Sequence, residues 1–331
     1  MKISVIIPTY NREAQVVRAI ASVLAQSVPV YEVIVVDDGS SDQTVPIVRK
    51  EFGESVILIE QQNQGVSVAR NRGIEAATGE WVAFLDSDDF WMEDKIDLQL
   101  EALRLGGSDA GLCFTDNRYW GNPQMEFSRF EETGFQCSSR FGVLERPIHY
   151  ILTGREPFFT STLLIRRSLL MEYGGFDHRL IIREDTDLLF RLALKTAFAF
   201  VDKPLVLIDR TPSREEGLCK LYGTRIDTLF ECSERLYKNW LSMCEVKGSE
   251  FEQPIRVLLR LSHYDSAEAK IHELRFRAAL RELREINRLG EWHVTIAKNL
   301  FVRKIQKWVR RRKASQALRM DKKHERQFDA V

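Results

Sequence analysis

Three carboxylates follow the end of a short apolar run. Asp86, Asp88 and Asp89 come directly after the segment 81–85, whose residues are aromatic or aliphatic. A run this short, with a turn-forming glycine before it, predicts a buried strand. Clustered carboxylates repel one another unless a cation lies between them, and hard oxygen ligands suit Mg²⁺ or Mn²⁺. The run therefore predicts a metal site at a strand end. The alternative is an Asp-rich turn that caps a helix starting near Trp91.

The elements that must position this turn alternate between strand and helix over the first ninety residues. We predict strands at 3–7, 31–36, 56–59 and 81–85, separated by helices at 16–24, 42–51 and 66–77. Strands that alternate with helices of about ten residues form βαβ units with right-handed crossovers. The sequence therefore predicts an α/β fold with a mostly parallel sheet flanked by helices.

Polar loops follow three of the predicted strands, at 9–12, 37–40 and 86–89. The carboxyl ends of parallel strands meet at one edge of the sheet, where open α/β folds bind their ligands. An aromatic ring, acids and a carboxylate cluster at this edge are typical of a nucleotide site. The sequence contains no Gly-x-Gly-x-x-Gly after the first strand and no Gly-Lys-Ser/Thr. A metal ion and side chains must then hold the phosphates.

The composition is that of an ordinary soluble protein, with 44% hydrophobic and 29% charged residues. Lys plus Arg and Asp plus Glu both number 48, so the net charge predicts no acidic partner. The five cysteines show no zinc-site spacing, which favours reduced thiols. No apolar run approaches the roughly 18 residues of a membrane-spanning helix, and the amino terminus has no signal-peptide pattern. We therefore expect a cytoplasmic protein.

Four segments recur along the first ninety residues: Ser4 to Arg12, Val35 to Asp42, Asn63 to Asn71 and Phe84 to Asp89. Taken in their order and spacing, they resemble the motifs of family 2 glycosyltransferases with the GT-A fold, a Rossmann-like architecture. The resemblance covers roughly residues 1 to 210. It implies a nucleotide-sugar donor and a divalent metal, Mn²⁺ or Mg²⁺.

The resemblance also assigns the donor-side residues. It places the base between Pro8, Tyr10 and Asp38, and Arg70 near the nucleotide. It uses Asp86 and Asp88 as the Asp-x-Asp pair, with Asp89 as an alternative direct metal ligand. The other predicted nucleotide-binding residues are Thr9, Arg12, Asp37, Gly65 and Ser87. Structural alternatives are that Tyr10 covers the core, that Asp38 closes the Gly39 turn, and that Arg70 pairs with an acid on a helix surface.

A second acidic pair lies further along the chain. Glu184 and Asp185 begin a segment with helical apolar spacing, where the helix dipole favours carboxylates. That structural role is the alternative to a catalytic one. Together with Gly174 to Asp177, the pair resembles the acceptor-side motif of the family, whose acid serves as general base. The resemblance implies Asp185 as the base and Glu184 as the second choice.

The remainder of the chain departs from the family pattern. The loop 211–216 has no histidine, which puts a histidine metal ligand in doubt, and Arg214 could meet the diphosphate instead. Helices are predicted at 218–246 and 256–289. Residues 298–326 carry twelve Lys or Arg against two acids, and Val294, Phe301, Ile305 and Trp308 recur at helical spacing. This pattern favours a helix on an anionic membrane surface, at the inner face of the cell membrane, with docking on the protein as the alternative.

We therefore predict a GT-A catalytic domain at 1–215 and a helical extension with a basic amphipathic end at 216–331. The expected reaction is inverting transfer from a metal-bound nucleotide-diphosphate sugar, UDP-linked by analogy, to a hydroxyl of a glycan or lipid-linked acceptor. Such an enzyme would serve cell-envelope polysaccharide biosynthesis, and no nucleic-acid partner is expected. The alternatives are a catalytically silent sugar-nucleotide-binding scaffold and a haloacid-dehalogenase-like phosphatase that uses Asp86.

Overall fold

The computed structural model describes residues 1–106, 110–211, 226–272 and 276–288. The chain divides into two compact units, Met1–Thr224 and Arg225–Val331. The first unit holds every donor-side and acceptor-side residue singled out above. Within the described residues, its strands form one nine-stranded sheet.

Four parallel strands make up the amino-terminal half of the sheet, in the order β3-β2-β1-β4. The strands are β1 (Ile3–Thr9), β2 (Glu32–Asp37), β3 (Ile57–Glu60) and β4 (Trp81–Phe84), and the helices between them are α1 (Val16–Leu24), α2 (Thr44–Phe52) and α3 (Val66–Ala76). Every residue of β1 and β4 is buried, because helices cover both faces of a parallel sheet. The predicted βαβ alternation is confirmed.

The Asp-rich turn after β4 leads into another strand. The next elements are β5 (Phe90–Trp91) and α4 (Lys95–Leu105), so the turn does not cap a helix. The alternative of a helix-capping turn is therefore wrong. The residues directly after the turn form a strand and not a helix because β5 pairs antiparallel with the long strand β9 (Ala197–Asp209).

The second half of the sheet is mixed, and it continues from β4 in the order β8-β6-β9-β5. Its elements are β6 (Ala110–Trp120), α5 (Arg129–Thr133), β7 (Phe141–Leu144), α6 (Ile148–Thr153), β8 (Leu164–Arg166), α7 (Arg167–Tyr173), α8 (Glu184–Ala193) and β9. Strand β8 is antiparallel to both β4 and β6, and β6 is parallel to β9. The carboxyl ends of β1, β2, β4, β6 and β9 therefore lie along the same edge.

The region 117–142, whose sequence has no clear period, contains regular elements. Strand β6 extends to Trp120, and α5 begins with a capping box in which Ser128 and Glu131 each hydrogen-bond the main chain of the other. Phe130 anchors this short helix against Phe114, with ring centroids 5.8 Å apart. Phe130 and Phe135 of this region are thus buried beside Phe114, whereas Trp120 and Phe127 are exposed.

The second unit contains α9 (Ile226–Ser242), α10 (Glu252–His272) and α11 (Phe276–Arg288). Buried His263 of α10 lies 2.6 Å from Glu282 of α11 and 3.8 Å from Glu234 of α9, so it links the three helices. No helix in the described ranges is both long and apolar enough to cross a membrane. The basic segment 294–326 and Arg214 lie outside the described residues, so the membrane-surface helix and the diphosphate contact stay predictions.

Candidate active site

The loops after β1 and β2 interlock at the predicted nucleotide edge. The Asn11 amide donates to Ser40 Oγ at 2.8 Å, and the Arg12 amide donates to Thr44 Oγ1 at 2.8 Å. Asn11 has a φ of 50°, an uncommon conformation for a non-glycine residue that recurs at functional sites. Directly before these anchored residues, Tyr10 is 45% exposed. The ring is therefore held beside the sheet edge with much of its surface open to a ligand.

Asp38 holds the loop 61–65, which follows β3 at the same edge of the sheet. Its carboxylate accepts hydrogen bonds from Gln61 Nε2 at 2.7 Å and from the amides of Gln64 and Gly65 at 2.9 and 2.8 Å. Gly39 has a φ of 81°, and a side chain there would come within 2.9 Å of the Asn63 amide nitrogen. Asp38 thus holds the loop 61–65 against the end of β2, in addition to any contact with a base.

Two buried polar atoms next to this edge have no hydrogen-bond partner among the residues that the structure describes. They are Asp37 Oδ1 and Thr9 Oγ1, which belong to residues paired across β1 and β2. The other oxygen of Asp37 accepts from the amides of Gly39 and Ser40 at 3.1 and 2.9 Å. Unpaired buried acceptors and donors are uncommon in folded proteins. Their presence marks this point of the edge as a place where a ligand could supply the missing partners.

The carboxylates of the Asp turn have different environments. Asp86 and Asp88 are half-buried, whereas Asp89 is 5% exposed and turned inward. Asp89 Oδ2 accepts from Ser161 Oγ at 2.6 Å, and Oδ1 accepts from the Asp209 amide at 3.2 Å. Burial, together with the charges of Asp88 and Asp86, raises the pKa of Asp89 well above its usual range. The three acids are therefore close enough to repel one another.

Ser161 ties this turn to the neighbouring chain. Its hydroxyl accepts from the Asp86 amide at 3.1 Å while donating to Asp89, and its carbonyl accepts from Trp91 Nε1 at 2.9 Å. The adjacent Thr162 carbonyl accepts from buried Gln99 at 3.0 Å. No sequence pattern pointed to Ser161, which lies in a Thr-Ser-Thr run of ordinary composition. The structure identifies it as a support of the turn.

Arg70 joins the Asp turn to the acceptor-side helix. Its guanidinium donates to Asp86 Oδ1 at 2.7 Å and to Glu184 Oε1 at 2.8 Å, and the ring of Phe176 lies 5.0 Å away. Arg70 is 2% exposed, and the two carboxylates raise its pKa further despite burial. The idea that Arg70 pairs with a helix-surface acid is wrong, because its partners are a strand-end turn and the start of α8.

The two acids at the start of α8 also differ. Glu184 is buried against Arg70, and burial together with the charge of Asp185 raises the pKa of Glu184 to about 7. Asp185 is half-buried, and its Oδ1 accepts from the Thr186 amide at 2.7 Å. Arg183, just before the helix, has a φ of 65°. Of the two acids, Asp185 is therefore the one accessible to a ligand.

Two further acids near the site had no sequence signal. Asp209, at the end of β9, accepts from Arg18 Nη2 at 3.3 Å, and Arg18 also donates to the Asp88 carbonyl at 3.0 Å. Glu156, in the loop after α6, is close enough to Asp185 for its pKa to be raised by that charge, in addition to burial. Both acids come from chain segments far from the motifs, and only the tertiary fold brings them here.

The residues present suit a cation that takes few protein ligands. Within the described part of the chain, no three His, Cys, Asp or Glu side chains converge on one metal position. Asp86, Asp88 and Asp89 are thus not assembled as a three-carboxylate site, because Asp89 points towards Ser161. Mg²⁺ commonly takes one or two carboxylates and completes its shell with water and substrate phosphates. The partly exposed Asp86 and Asp88 fit that requirement.

Solved structures share this architecture. Residues 1–349 of Staphylococcus aureus TarS, in complex with UDP-GlcNAc, superpose with a TM-score of 0.66 at 23% identity, covering 90% of this chain and 84% of that 1–349 chain. The mannosyltransferase PcManGT of Pyrobaculum calidifontis, in complex with GDP-Man and Mn²⁺, gives a TM-score of 0.53 at 18% identity, covering 92% of this chain and 79% of that one. The predicted GT-A fold is confirmed.

Sequence relatives carry glycosyltransferase names. An uncharacterized glycosyltransferase of Rickettsia felis is 43% identical over 208 residues, which are 62% of this chain and 32% of that protein. TuaG of Bacillus subtilis, named for teichuronic acid biosynthesis, is 44% identical over 102 residues, which are 30% of this chain and 40% of TuaG. The chain thus spans less than half the length of these curated relatives.

The family profile of glycosyl transferase family 2 matches residues 4–174, just over half of the chain. That range contains the three nucleotide-edge loops, Arg70, the Asp turn and Ser161. The resemblance carried by the four sequence motifs is confirmed. The chain belongs to glycosyl transferase family 2.

Proposed function

We propose that this protein transfers a sugar from a nucleotide-diphosphate sugar to a hydroxyl group with inversion at the anomeric carbon. The observation that carries the proposal is the position of Arg70. One buried guanidinium contacts both the Asp turn and the first residue of α8. Donor-side and acceptor-side carboxylates are therefore held at a fixed spacing, which a two-substrate reaction requires.

The nucleotide would bind along the ends of β1 and β2. Tyr10 and Pro8 would pack against the base, while Thr9 Oγ1 and Asp37 Oδ1 would gain the partners that they lack within the described part of the chain. Asp38 would act mainly by holding Gly65 and its loop in place. UDP is the donor nucleotide that we favour, because the TarS structure with the higher TM-score contains UDP-GlcNAc.

Asp86 and Asp88 would hold a divalent cation, Mn²⁺ or Mg²⁺, against the diphosphate. When bound, the cation would neutralise charge on the departing nucleoside diphosphate. Ser161 and Arg70 would keep the turn in position, and Asp89 would support it from inside the protein. Mn²⁺ in the PcManGT complex supports this part of the proposal.

Asp185 would be the general base. A half-buried carboxylate at the first turn of α8 can accept the acceptor hydroxyl proton while that oxygen attacks the anomeric carbon. Glu184 is already engaged with Arg70, so we assign it to positioning. Such a reaction needs no covalent enzyme intermediate.

The name of TuaG supports an acceptor in cell-envelope polysaccharide biosynthesis. A silent scaffold protein is the less favoured alternative, because the chain keeps acids on both sides of Arg70. A phosphatase of the haloacid-dehalogenase type is less favoured still, since its nucleophile follows the first strand of the sheet. Asp86 follows the fourth strand here.

Nucleotide binding provides a first test. Thermal shift with UDP-, GDP-, dTDP- and CDP-sugars should show stabilisation by at least one donor, larger in Mn²⁺ than in EDTA, because ligands that bind the folded state raise the melting temperature. Asp88→Asn should remove the part of the donor's stabilisation that depends on Mn²⁺, and it should leave the melting temperature of the free protein unchanged. Glu172→Gln, on the exposed face of α7, is the matched control. Donor affinity that is identical in Mn²⁺ for Asp86→Asn, Asp88→Asn and wild type would refute the metal assignment.

A further inference from the structure

A cavity lies between the end of α5 and the loop that follows α6. Its volume is about 460 Å³, which is within the range of small-ligand sites. Each of the two helices ends there at a glycine, Gly134 or Gly154, and a side chain at either position would meet no atom within 4 Å. The cavity is therefore open to a ligand from solution. Its lining side chains are those of Arg129, Glu131, Glu132, Thr133 and Arg155.

The segment 156–161 connects this cavity with the acceptor-side acids and with the Asp turn. The Glu156 carbonyl accepts a hydrogen bond from Arg129 Nε at 2.9 Å. The Glu156 carboxyl has its pKa raised by burial and by the charge of nearby Asp185. At the other end of the segment, Ser161 holds the Asp turn. The cavity is therefore separated from Asp185 by one residue, whereas the nucleotide loops follow β1 and β2 on the other side of β4 in the sheet.

Contacts within the protein fix two polar groups of the lining. Arg129 Nη1 donates to Glu132 Oε2 at 2.8 Å, and the guanidinium lies 4.7 Å from the Phe159 ring. The Tyr119 hydroxyl donates to the same oxygen of Glu132 at 2.6 Å. Partial burial acts to raise the pKa of Glu132, but the hydrogen bonds from Tyr119 and Arg129 hold it below its usual range, so the carboxylate stays ionised. Groups fixed in this way lose little freedom when a ligand binds.

The charges of the lining balance one another. Two guanidiniums, of Arg129 and Arg155, face the same cavity as two carboxylates, of Glu131 and Glu132. A guanidinium only donates hydrogen bonds and a carboxylate only accepts them, whereas a hydroxyl group does both. An uncharged ligand with many hydroxyls can therefore satisfy all four groups. An anion would be repelled by the two carboxylates, and a cation by the two guanidiniums.

We propose that this cavity is an outer acceptor subsite that binds an uncharged sugar unit, so that the acceptor is a saccharide. Neighbouring hydroxyls of a sugar ring are spaced to meet the two oxygens of one carboxylate or two nitrogens of one guanidinium. A sugar unit in the cavity would leave another unit of the same chain to reach Asp185, beyond Glu156. The inference rests on the proposed function, because it takes Asp185 as the base that receives the acceptor hydroxyl.

Titration calorimetry with trisaccharides of different charge tests the inference. Chitotriose, cellotriose and maltotriose, which are uncharged, and trigalacturonate, which is anionic, are each added to the full chain with UDP and Mn²⁺. We expect at least one uncharged trisaccharide to bind saturably and more tightly than trigalacturonate. Arg155→Ala should weaken that trisaccharide by roughly tenfold or more, the effect of losing a hydrogen bond to a charged group, and should leave UDP affinity unchanged. Arg104→Ala, at an exposed arginine of α4 outside the cavity, is the matched control.

Glu131→Gln separates a role in binding from a role in holding α5 together. Glu131 accepts from the Ser128 amide at 2.7 Å in the capping box of α5, and a glutamine side chain can keep this hydrogen bond. The melting temperature should therefore stay unchanged. The substitution makes the lining net positive, so trigalacturonate should gain affinity relative to the uncharged trisaccharide. A residue that only supports α5 would not change this preference.

Three results would overturn the subsite. They are the absence of saturable binding by all three uncharged trisaccharides, equal effects of Arg155→Ala and Arg104→Ala on saccharide affinity, and tighter binding of trigalacturonate than of the others to the wild type. If UDP binds in any of these cases, the proposed function still stands. Saccharide binding that Arg155→Ala weakens, in a protein that binds none of UDP, GDP, dTDP and CDP, would uphold the subsite and refute the proposed function. The two failures are therefore distinguishable.

Discussion

Asp185→Asn is expected to slow sugar transfer by roughly 10²-fold or more while leaving donor affinity nearly unchanged. The substitution keeps the shape of the side chain but removes its ability to accept a proton. Asp185 is the accessible acid at the start of α8 and accepts a hydrogen bond from the neighbouring Thr186 amide, which an asparagine side chain can also accept, so little else should change. Turnover and donor affinity measured separately on the same variant check the prediction.

Glu184→Gln tests whether the other acid at the start of α8 is the base. Glu184 contacts Arg70 at 2.8 Å, so its loss should disturb stability and donor binding together. Normal turnover in Asp185→Asn with lost turnover in Glu184→Gln would make Glu184 the base. Normal turnover in both variants would refute the acceptor-side assignment altogether.

Arg70→Met is expected to lower the free energy of unfolding by about 3–5 kcal/mol, because it leaves two carboxylates without their buried partner. Asp86 and Glu184 each accept a hydrogen bond from this guanidinium, whose positive charge balances theirs. Arg70→Lys keeps the charge but cannot make the same forked contact, so donor turnover should still fall. Urea denaturation and donor turnover measure the two effects.

Arg72→Met is the matched control on the same helix. Arg72 is exposed and lies 3.9 Å from exposed Glu75, a pair of the kind that adds little stability. Its free energy of unfolding should stay within about 0.5 kcal/mol of wild type. An equal loss of stability in Arg70→Met and Arg72→Met would show that the contacts of Arg70 with the two carboxylates do not cause the effect.

The sequence was most informative where local pattern decides structure. Alternating strands and helices predicted β1 to β4, since each strand is an apolar run bounded by turn residues. The motif resemblance also predicted the family, which the profile match confirms. Roles that depend on ligands, such as those of Pro8 and Arg12 at the nucleotide, stay predictions.

Contacts between segments that are distant in the chain could not be predicted from the sequence. Ser161 reaches Asp89 across 72 positions, and Arg70 reaches Glu184 across 114. No local periodicity encodes such pairs, because they form only when β8 and α8 pack beside β4 and α3. For the same reason, the contact of Arg18 with Asp209, near the other end of the first unit's sequence, could not be predicted.

Release of nucleoside diphosphate from a nucleotide-sugar is the direct test of the proposed glycosyl transfer. The full chain is incubated with the donor that gives the largest thermal shift, in Mn²⁺ and in EDTA, with water in place of the acceptor hydroxyl, and the products are separated by chromatography. We expect nucleoside diphosphate and free sugar to be released in Mn²⁺, release to fall sharply in EDTA, and Asp88→Asn to release little in either. Donor that binds but stays intact in Mn²⁺ would indicate a silent binding protein, and inorganic phosphate as the first product would indicate a phosphatase. Either result would contradict the proposed glycosyl transfer.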